Sequence, residues 1–401
     1  MTDLHEIGTA DYRSYGVAHR IAGLEQRDGR LIVRWDDGHV SGFHHLWLRD
    51  NCPCSDCVNP KTQEQVFEIC DVPETIAPRT TEVEPSGALK VAWDADGHVS
   101  HYHPGWLRAH CYSDAAREAR RPRKVTWGAS LTAELPRFDG KAVLDDDGAL
   151  LDWLIALRDK GLTVLTGVPT EPDAIERVAH RISFIRETNF GVLFDVQSKR
   201  DPNSNAYTAL RLPLHTDLPT RELQPGLQFL HCLVNDAEGG DSVMVDGFRV
   251  AEALRDEAPE LFETLATVPM DWHNKDRHSD YRCKAPLIAR DERGDIIEIR
   301  LANFLRGPLD APADKVEPLY LAYRRFIAMT RESRFQVVFR LNAGDLMAFD
   351  NRRALHARTA FDPATGARHL RGCYLDRDEL LSRIRILERE AERRRPAAAA
   401  E

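Results

Sequence analysis

The chain has 401 residues, 42% of them hydrophobic and 29% charged, with a formal net charge of -10 and a pI near 5.9. That composition argues against global disorder and offers no basic field to a phosphate backbone, so a two-domain globular protein acting on small ligands is expected, with no nucleic-acid partner. The N-terminal stretch MTDLHEIGTADYRSYG is acidic and lacks an apolar core, and no later run is long and apolar enough to span a bilayer. A cytoplasmic protein with no membrane segment follows as the expectation.

Residues from about 28 onward carry two related stretches, GRLIVRWDDGHVSGFHHLWLRD and GALKVAWDADGHVSHYHPGWLRAHC. Each reads as strand, D-G turn, strand and then WLR, so residues 1–125 are expected to form a small β-rich N-terminal domain. Of the eight cysteines, three crowd into CPCSDC, where Cys52, Cys54 and Cys57 have the spacing of thiolates that share one tetrahedral zinc ion. A fourth ligand must come from a distance, and spacing does not choose among Cys70, His98, His101, His103, His110 and Cys111. The basic run REARRPRKVTWG reads as a linker.

Residues 126–390 are expected to form the larger domain. LLDWLIALRDKG has helical spacing and stops at Gly161, LTVLTGVP reads as a strand, and AIERVAHRISFI is again helical. From about residue 205 the apolar runs are short and broken by Gly, Pro and Asp, as expected for a β-barrel or sandwich decorated by helices, of which VAEALRDEAPELFETLAT and VEPLYLAYRRFIAMTRE are the clearest. Residues 391–401 read as a frayed tail.

Within LPLHTDLPTRELQPGLQFLHCLV, His215 and Asp217 are two residues apart, which in a strand places both on one face. A bare H-x-D carries little weight, since a chain with 16 histidines gives roughly two such matches by chance, and a second occurs at His278 and Asp280 in a polar, strand-poor stretch. Two histidines and one carboxylate make the facial triad of non-haem Fe(II) oxygenases, and GDLMAFDNRRALHARTAF supplies His356 as the distal histidine. In ARHLRGCYL, Arg368, Leu370, Gly372 and Tyr374 share a strand face, and an inward arginine suits a carboxylate through paired hydrogen bonds.

The combination of HTD, GGDS, FDN…LH and RHL.G.Y resembles the 2-oxoglutarate-dependent dioxygenases of the taurine dioxygenase type. WLRDNCPCSDC with LPLHTDLPTRELQPGLQFLHCL is similar, more narrowly, to the gamma-butyrobetaine-hydroxylating branch of that family, in particular its bacterial members, over residues 28 to 388 or so. The resemblance implies a mainly β, α+β fold: a double-stranded β-helix (jelly-roll) core preceded by the zinc-bearing domain, in a homodimer. It implies Fe(II) on His215, Asp217 and His356, 2-oxoglutarate on Arg368, a structural Zn(II) on Cys52, Cys54, Cys57 and His98, and ascorbate as accessory reductant.

The implied reaction takes dioxygen and hydroxylates gamma-butyrobetaine at C3, giving L-carnitine, succinate and CO2. Trimethyllysine or 2-trimethylaminoethylphosphonate are alternative quaternary amine substrates for the same chemistry. By the same resemblance, Phe190, Phe194, Tyr207 and Tyr374 occupy the positions of an aromatic cage for the trimethylammonium group. Leu218 stands where vertebrate members carry tyrosine, and Asn303 and Arg306 are the candidates for the substrate carboxylate. The reading from a different class is a non-catalytic zinc-binding interaction protein.

Overall fold

A computed structural model describes residues 3–8, 15–122, 124–197, 208–276 and 279–394. They divide into two compact units, Met1–Pro122 with Arg389–Glu401, and Arg123–Glu388.

In the first unit the two related stretches build the same motif twice. Strands β1 (Ile21–Arg27), β2 (Arg30–Trp35) and β3 (Val40–His44) form one antiparallel sheet; β4 (Pro78–Val83), β5 (Leu89–Trp93) and β6 (Val99–Tyr102) form another. Each motif thus has three strands where the sequence suggests a hairpin. The WLR that follows each lies in a short helix, α1 (His45–Asp50) or α2 (Pro104–Ala109), and a third, α3 (Asp114–Ala119), comes next with Ser113 as its N-cap. Leu31, Val33, Trp35, Leu89, Val91 and Trp93 alternate inward along β2 and β5 and share one apolar core with Leu48 and Leu107.

In the second unit, helix α4 (Gly140–Asp145) follows strand β7 (Arg137–Asp139). Helix α5 (Asp147–Lys160) starts at the Asp146 cap, which accepts hydrogen bonds from the amides of Gly148 and Ala149, and ends at Gly161 with φ 69°. Next come β8 (Leu162–Thr166), α6 (Ala174–His180), β9 (Phe194–Val196), β10 (Leu212–His215), β11 (Leu227–Asn235) and β12 (Ser242–Asp246). Helix α6 ends at His180, short of the ISFI segment. VAEALRDEAPELFETLAT is two helices, α7 (Gly247–Glu257) and α8 (Pro259–Thr267), because Pro259 can begin a helix but not continue one. Helix α9 (Ala313–Thr330) precedes β13 (Gln336–Phe339), β14 (Leu346–Asp350), β15 (Ala354–Arg358), β16 (Arg368–Leu375) and α10 (Arg377–Arg394).

Six strands make one sheet in the order β7-β8-β14-β11-β16-β9, and four make another in the order β10-β15-β12-β13. Leu230, Cys232, Met347, Phe349 and Leu370 from the first sheet meet Met244, Val337 and Ala354 from the second in one core, the sandwich of the expected jelly roll. On β11, Leu227 and Phe229 point the other way, into a core shared with α5, α6 and α10. Helices α7, α8 and α9 pack with Val245 and Leu355 on the back of the four-stranded sheet. This period-2 division makes Gln228, Leu230, Arg368 and Tyr374 inward-facing.

Two expectations differ from the structure. The stretch around Asp280 is not strand-poor: Met270–Lys275 and Asp280–Ala285 form an antiparallel ribbon, while His278 lies outside the described residues. Helix α10 runs on to Arg394, into the stretch read as tail, since Glu and Arg hold a helix without an apolar face.

Candidate active site

His215 ends β10 and sits directly opposite His356 of β15 in the antiparallel register, with ring centroids 4.1 Å apart. The strand stops there, so Asp217 reaches the histidines from a loop and not by strand alternation. Asn351 fixes that loop: its Oδ1 accepts the Asp217 amide at 2.7 Å and its Nδ2 donates to the Asp217 carbonyl at 3.0 Å and to Pro225 at 3.2 Å. Leu218 turns the chain with φ 55°, and Arg300 gathers the carbonyls of Pro219, Arg221 and Glu222 at 2.7, 2.5 and 2.9 Å.

One Asp217 carboxylate oxygen lies 3.2 Å from His215 Nε2 and 3.7 Å from His356 Nε2. Donors about 2.1 Å from one ion at right angles stand about 3 Å apart, so the triad fits a metal centre in both spacing and donor chemistry. His215 Nδ1 faces the Pro213 carbonyl at 2.8 Å, which favours the tautomer whose Nε2 lone pair points at the centre. Burial and the neighbouring His215 push His356 down to about 3, so its imidazole is neutral near pH 7. Burial opposes ionisation of Asp217, but His356, His215 and the Tyr374 hydroxyl outweigh it and hold the carboxyl well below the usual range.

The triad opens into a cavity of about 520 Å³. Phe190, Phe194 and Tyr374 form one aromatic wall, with centroids 6.2 Å apart for the first pair and 5.0 Å for the second. The Tyr374 hydroxyl donates to the other Asp217 oxygen at 2.6 Å, so this residue touches the triad as well as the wall. Arg368 also faces the cavity, where its Nη2 donates to the Gly240 carbonyl at 3.4 Å. Burial, helped by the nearby Arg358 charge, lowers Arg368 to about 10, still protonated at neutral pH.

Asn303 and Arg306 are not brought to this site. A 3-10 turn over Asn303–Leu305 places residues three apart on one side, where Asn303 accepts from the Tyr323 hydroxyl at 3.2 Å and Arg306 lies 4.8 Å over the Tyr323 ring. Phe304 and Leu305, between them, line the cavity instead. Tyr207 lies outside the described residues. Sequence reasoning also passed over Asn351, although it stands in the FDN motif, and Arg358, whose Nη2 donates to the carbonyls of Thr208 and Leu210 at 2.6 and 2.8 Å. Arg358 was legible as the inward residue two after His356. Asn274 and Lys275 reach the cavity from the unforeseen ribbon.

In the N-terminal unit, Sγ of Cys52, Cys54 and Cys57 lie 3.2, 3.5 and 3.7 Å from His98 Nε2. That is the edge length of a tetrahedron of sulfur and nitrogen donors about 2.1–2.3 Å from zinc. Of the alternatives left open by spacing, His101 faces Glu84, His103 caps α2, Cys70 is exposed, and Cys111 lies beside His39.

The taurine catabolism dioxygenase TauD, TfdA family model matches residues 119–374, well over half of the chain, and the gamma-butyrobetaine hydroxylase-like N-terminal model matches residues 23–108. The chain belongs to the TauD, TfdA dioxygenase family. A gamma-butyrobetaine dioxygenase of a Pseudomonas species is 61% identical over 383 residues, covering 95% of this chain and 99% of the relative. The human gamma-butyrobetaine dioxygenase is 34% identical over 94% of this chain and 99% of its own. The rat mitochondrial trimethyllysine dioxygenase is 33% identical over 87% and 83%. Membership of this dioxygenase family makes the chain an enzyme and sets aside the non-catalytic reading.

Proposed function

We propose that this enzyme is an Fe(II)- and 2-oxoglutarate-dependent dioxygenase that hydroxylates gamma-butyrobetaine at C3 to give L-carnitine. The observation that carries the reading is one cavity holding a two-histidine, one-carboxylate triad, a buried guanidinium and an aromatic wall. The 61% identity to the Pseudomonas enzyme over nearly the whole chain supports the choice of substrate.

His215, Asp217 and His356 would hold the iron. Bound there, iron supplies the redox chemistry by which one oxygen atom of O2 enters the substrate C–H bond and the other enters succinate as 2-oxoglutarate loses CO2. The chain's own residues bind and orient. Arg368 pairs with the distal carboxylate of 2-oxoglutarate, and Arg358, already engaged with carbonyls, adds positive field beside it. Phe190, Phe194 and Tyr374 offer ring faces to a trimethylammonium group that cannot donate a hydrogen bond. Tyr374 also keeps Asp217 ionised and aimed. To Lys275, the only cavity-lining cation besides the two arginines among the described residues, we assign the pairing with the substrate carboxylate expected of Asn303 and Arg306.

The Cys52, Cys54, Cys57 and His98 set would hold a structural zinc, its four corners filled by protein and none left for substrate. Ascorbate as accessory reductant, a homodimer and a cytoplasmic location, where clustered thiols stay reduced, complete the reading. Among the described residues, no helix is long and apolar enough to cross a membrane. The test is succinate and hydroxylated product measured with gamma-butyrobetaine, trimethyllysine and 2-trimethylaminoethylphosphonate in parallel. Gamma-butyrobetaine should give the highest kcat/KM, and preference for either other amine would replace the assignment.

A further inference from the structure

The two halves of the N-terminal unit correspond residue by residue. Asp37, Gly38, His39, Val40 and Ser41 match Asp96, Gly97, His98, Val99 and Ser100, and the match runs unbroken to Trp47, Leu48, Arg49 and Cys52 against Trp106, Leu107, Arg108 and Cys111. Internal hydrogen bonds repeat: Trp35 Nε1 donates to Ser41 Oγ and Trp93 Nε1 to Ser100 Oγ, both at 2.9 Å. The contacts between halves are reciprocal. Arg49 of the first half pairs with Asp96 of the second at 2.9 Å, while Arg108 of the second pairs with Asp37 of the first at 2.8 Å. Trp47 stacks on its own counterpart, Trp106, at 5.5 Å. Reciprocal pairs, with a residue meeting its own mate, are the mark of a two-fold relation.

The knot obeys the same exchange. His98 of the second half meets Cys52 at the end of the first at 3.2 Å, and His39 of the first meets Cys111 at the end of the second at 3.3 Å. Continuing the match, Cys54 corresponds to Ser113, whose Oγ lies 3.4 Å from Cys111 Sγ, and Cys57 corresponds to Ala116. The second position therefore keeps thiol and imidazole, replaces one thiol by hydroxyl, and has no donor at the fourth corner.

We propose that the N-terminal unit is an internally duplicated module closed about a pseudo-two-fold axis, and that His39, Cys111 and Ser113 form a second, reduced copy of the knot, able to take a thiophilic d10 cation. The proposal rests on the reading of the first knot as a zinc site. Burial opposes ionisation of Cys111, yet hydrogen bonds involving Ser113 and Ser41 and the charge of Arg120 carry its pKa below the ordinary thiol value, which suits a metal-binding thiolate. Burial, then the charges of Arg108 and His19, oppose protonation of His39, while Asp37, which lies close to both histidines, favours it.

Two measurements on the full-length enzyme test this. Saturated with Zn2+ and Cd2+ together, the wild type should hold one more of these ions per chain, zinc and cadmium summed, than Cys111→Ser or His39→Ala; equal totals in all three would overturn the proposal. The double variant S113C/A116C, which restores the missing thiols, should carry two zinc ions per chain by elemental analysis, falling back to one when Cys111→Ser is added. A folded double variant that stays at the wild-type zinc content would overturn it as well. Absence of zinc from the wild type together with a Cys111-dependent cadmium equivalent would strike the first knot and leave the second site standing.

Discussion

Asn351 shows how much of the site rests on a residue that is buried behind the cavity and does not line it. Its buried side-chain amide makes three hydrogen bonds that hold Asp217 beneath the two histidines. Asn351→Ala would leave buried amide and carbonyl groups unmatched at about 1–3 kcal/mol each, and the carboxylate would lose its aim. The expected outcome is at least a tenfold loss of iron affinity in a chelator-competition titration, with melting lowered by several degrees. His215→Ala, which removes one of the three proposed iron ligands, should abolish substrate-dependent succinate formation while leaving the fold's circular dichroism intact. His231 is buried in β11, and burial lowers it from 6.5 to about 4. The unfolded chain then binds the extra proton between those values, so this contribution is complete above about pH 6.5 and is lost as pH falls toward 4, on the order of 3 kcal/mol in all. His231→Leu should flatten urea stability against pH across that window.

At the scale of elements, β16 sets the geometry of the cavity. Arg368 and Tyr374 are six residues apart on one face, roughly 20 Å of strand, so the inward guanidinium and the aromatic wall are spaced by the backbone itself. Between them Gly372 leaves room for the Phe194 ring of β9: a Cβ there would stand 2.5 Å from two ring atoms. Gly372→Ala should therefore displace Phe194 and raise KM for the quaternary amine severalfold, with KM for 2-oxoglutarate little changed. Equal changes in both would show that the strand itself had moved. The helix stop at Gly161 was readable locally, since it depends on a few neighbouring residues, whereas the break at Pro259 was passed over because the apolar spacing runs on through it. The ribbon of Met270–Lys275 and Asp280–Ala285 was not, because one face of it is exposed and its alternation mixes polar residues with few apolar ones.

At the scale of the whole molecule, the small N-terminal unit has a modest apolar core and four soft donors converging at CPCSDC and His98. A metal closed in by four protein donors contributes folding free energy outright, because the unfolded chain has no such site. Chelation or Cys52→Ser should lower the first transition in calorimetry and raise protease cleavage within residues 15–122, a change that iron removal alone would not reproduce.

The sequence alone settled whatever depends on short spacing: three clustered thiols, a histidine and a carboxylate two residues apart, alternating strands, and the motifs that mark the dioxygenase family. Long-range register decided the rest. Pairing of β10 with β15 set His215 against His356, a 3-10 turn sent Asn303 and Arg306 toward Tyr323 while turning Phe304 into the cavity, and Asn351 and Arg358 gained their roles from loops far away in the chain. Periodicity encodes which face a residue shows to its own element; which partner meets that face is fixed only when distant strands pair and their loops close.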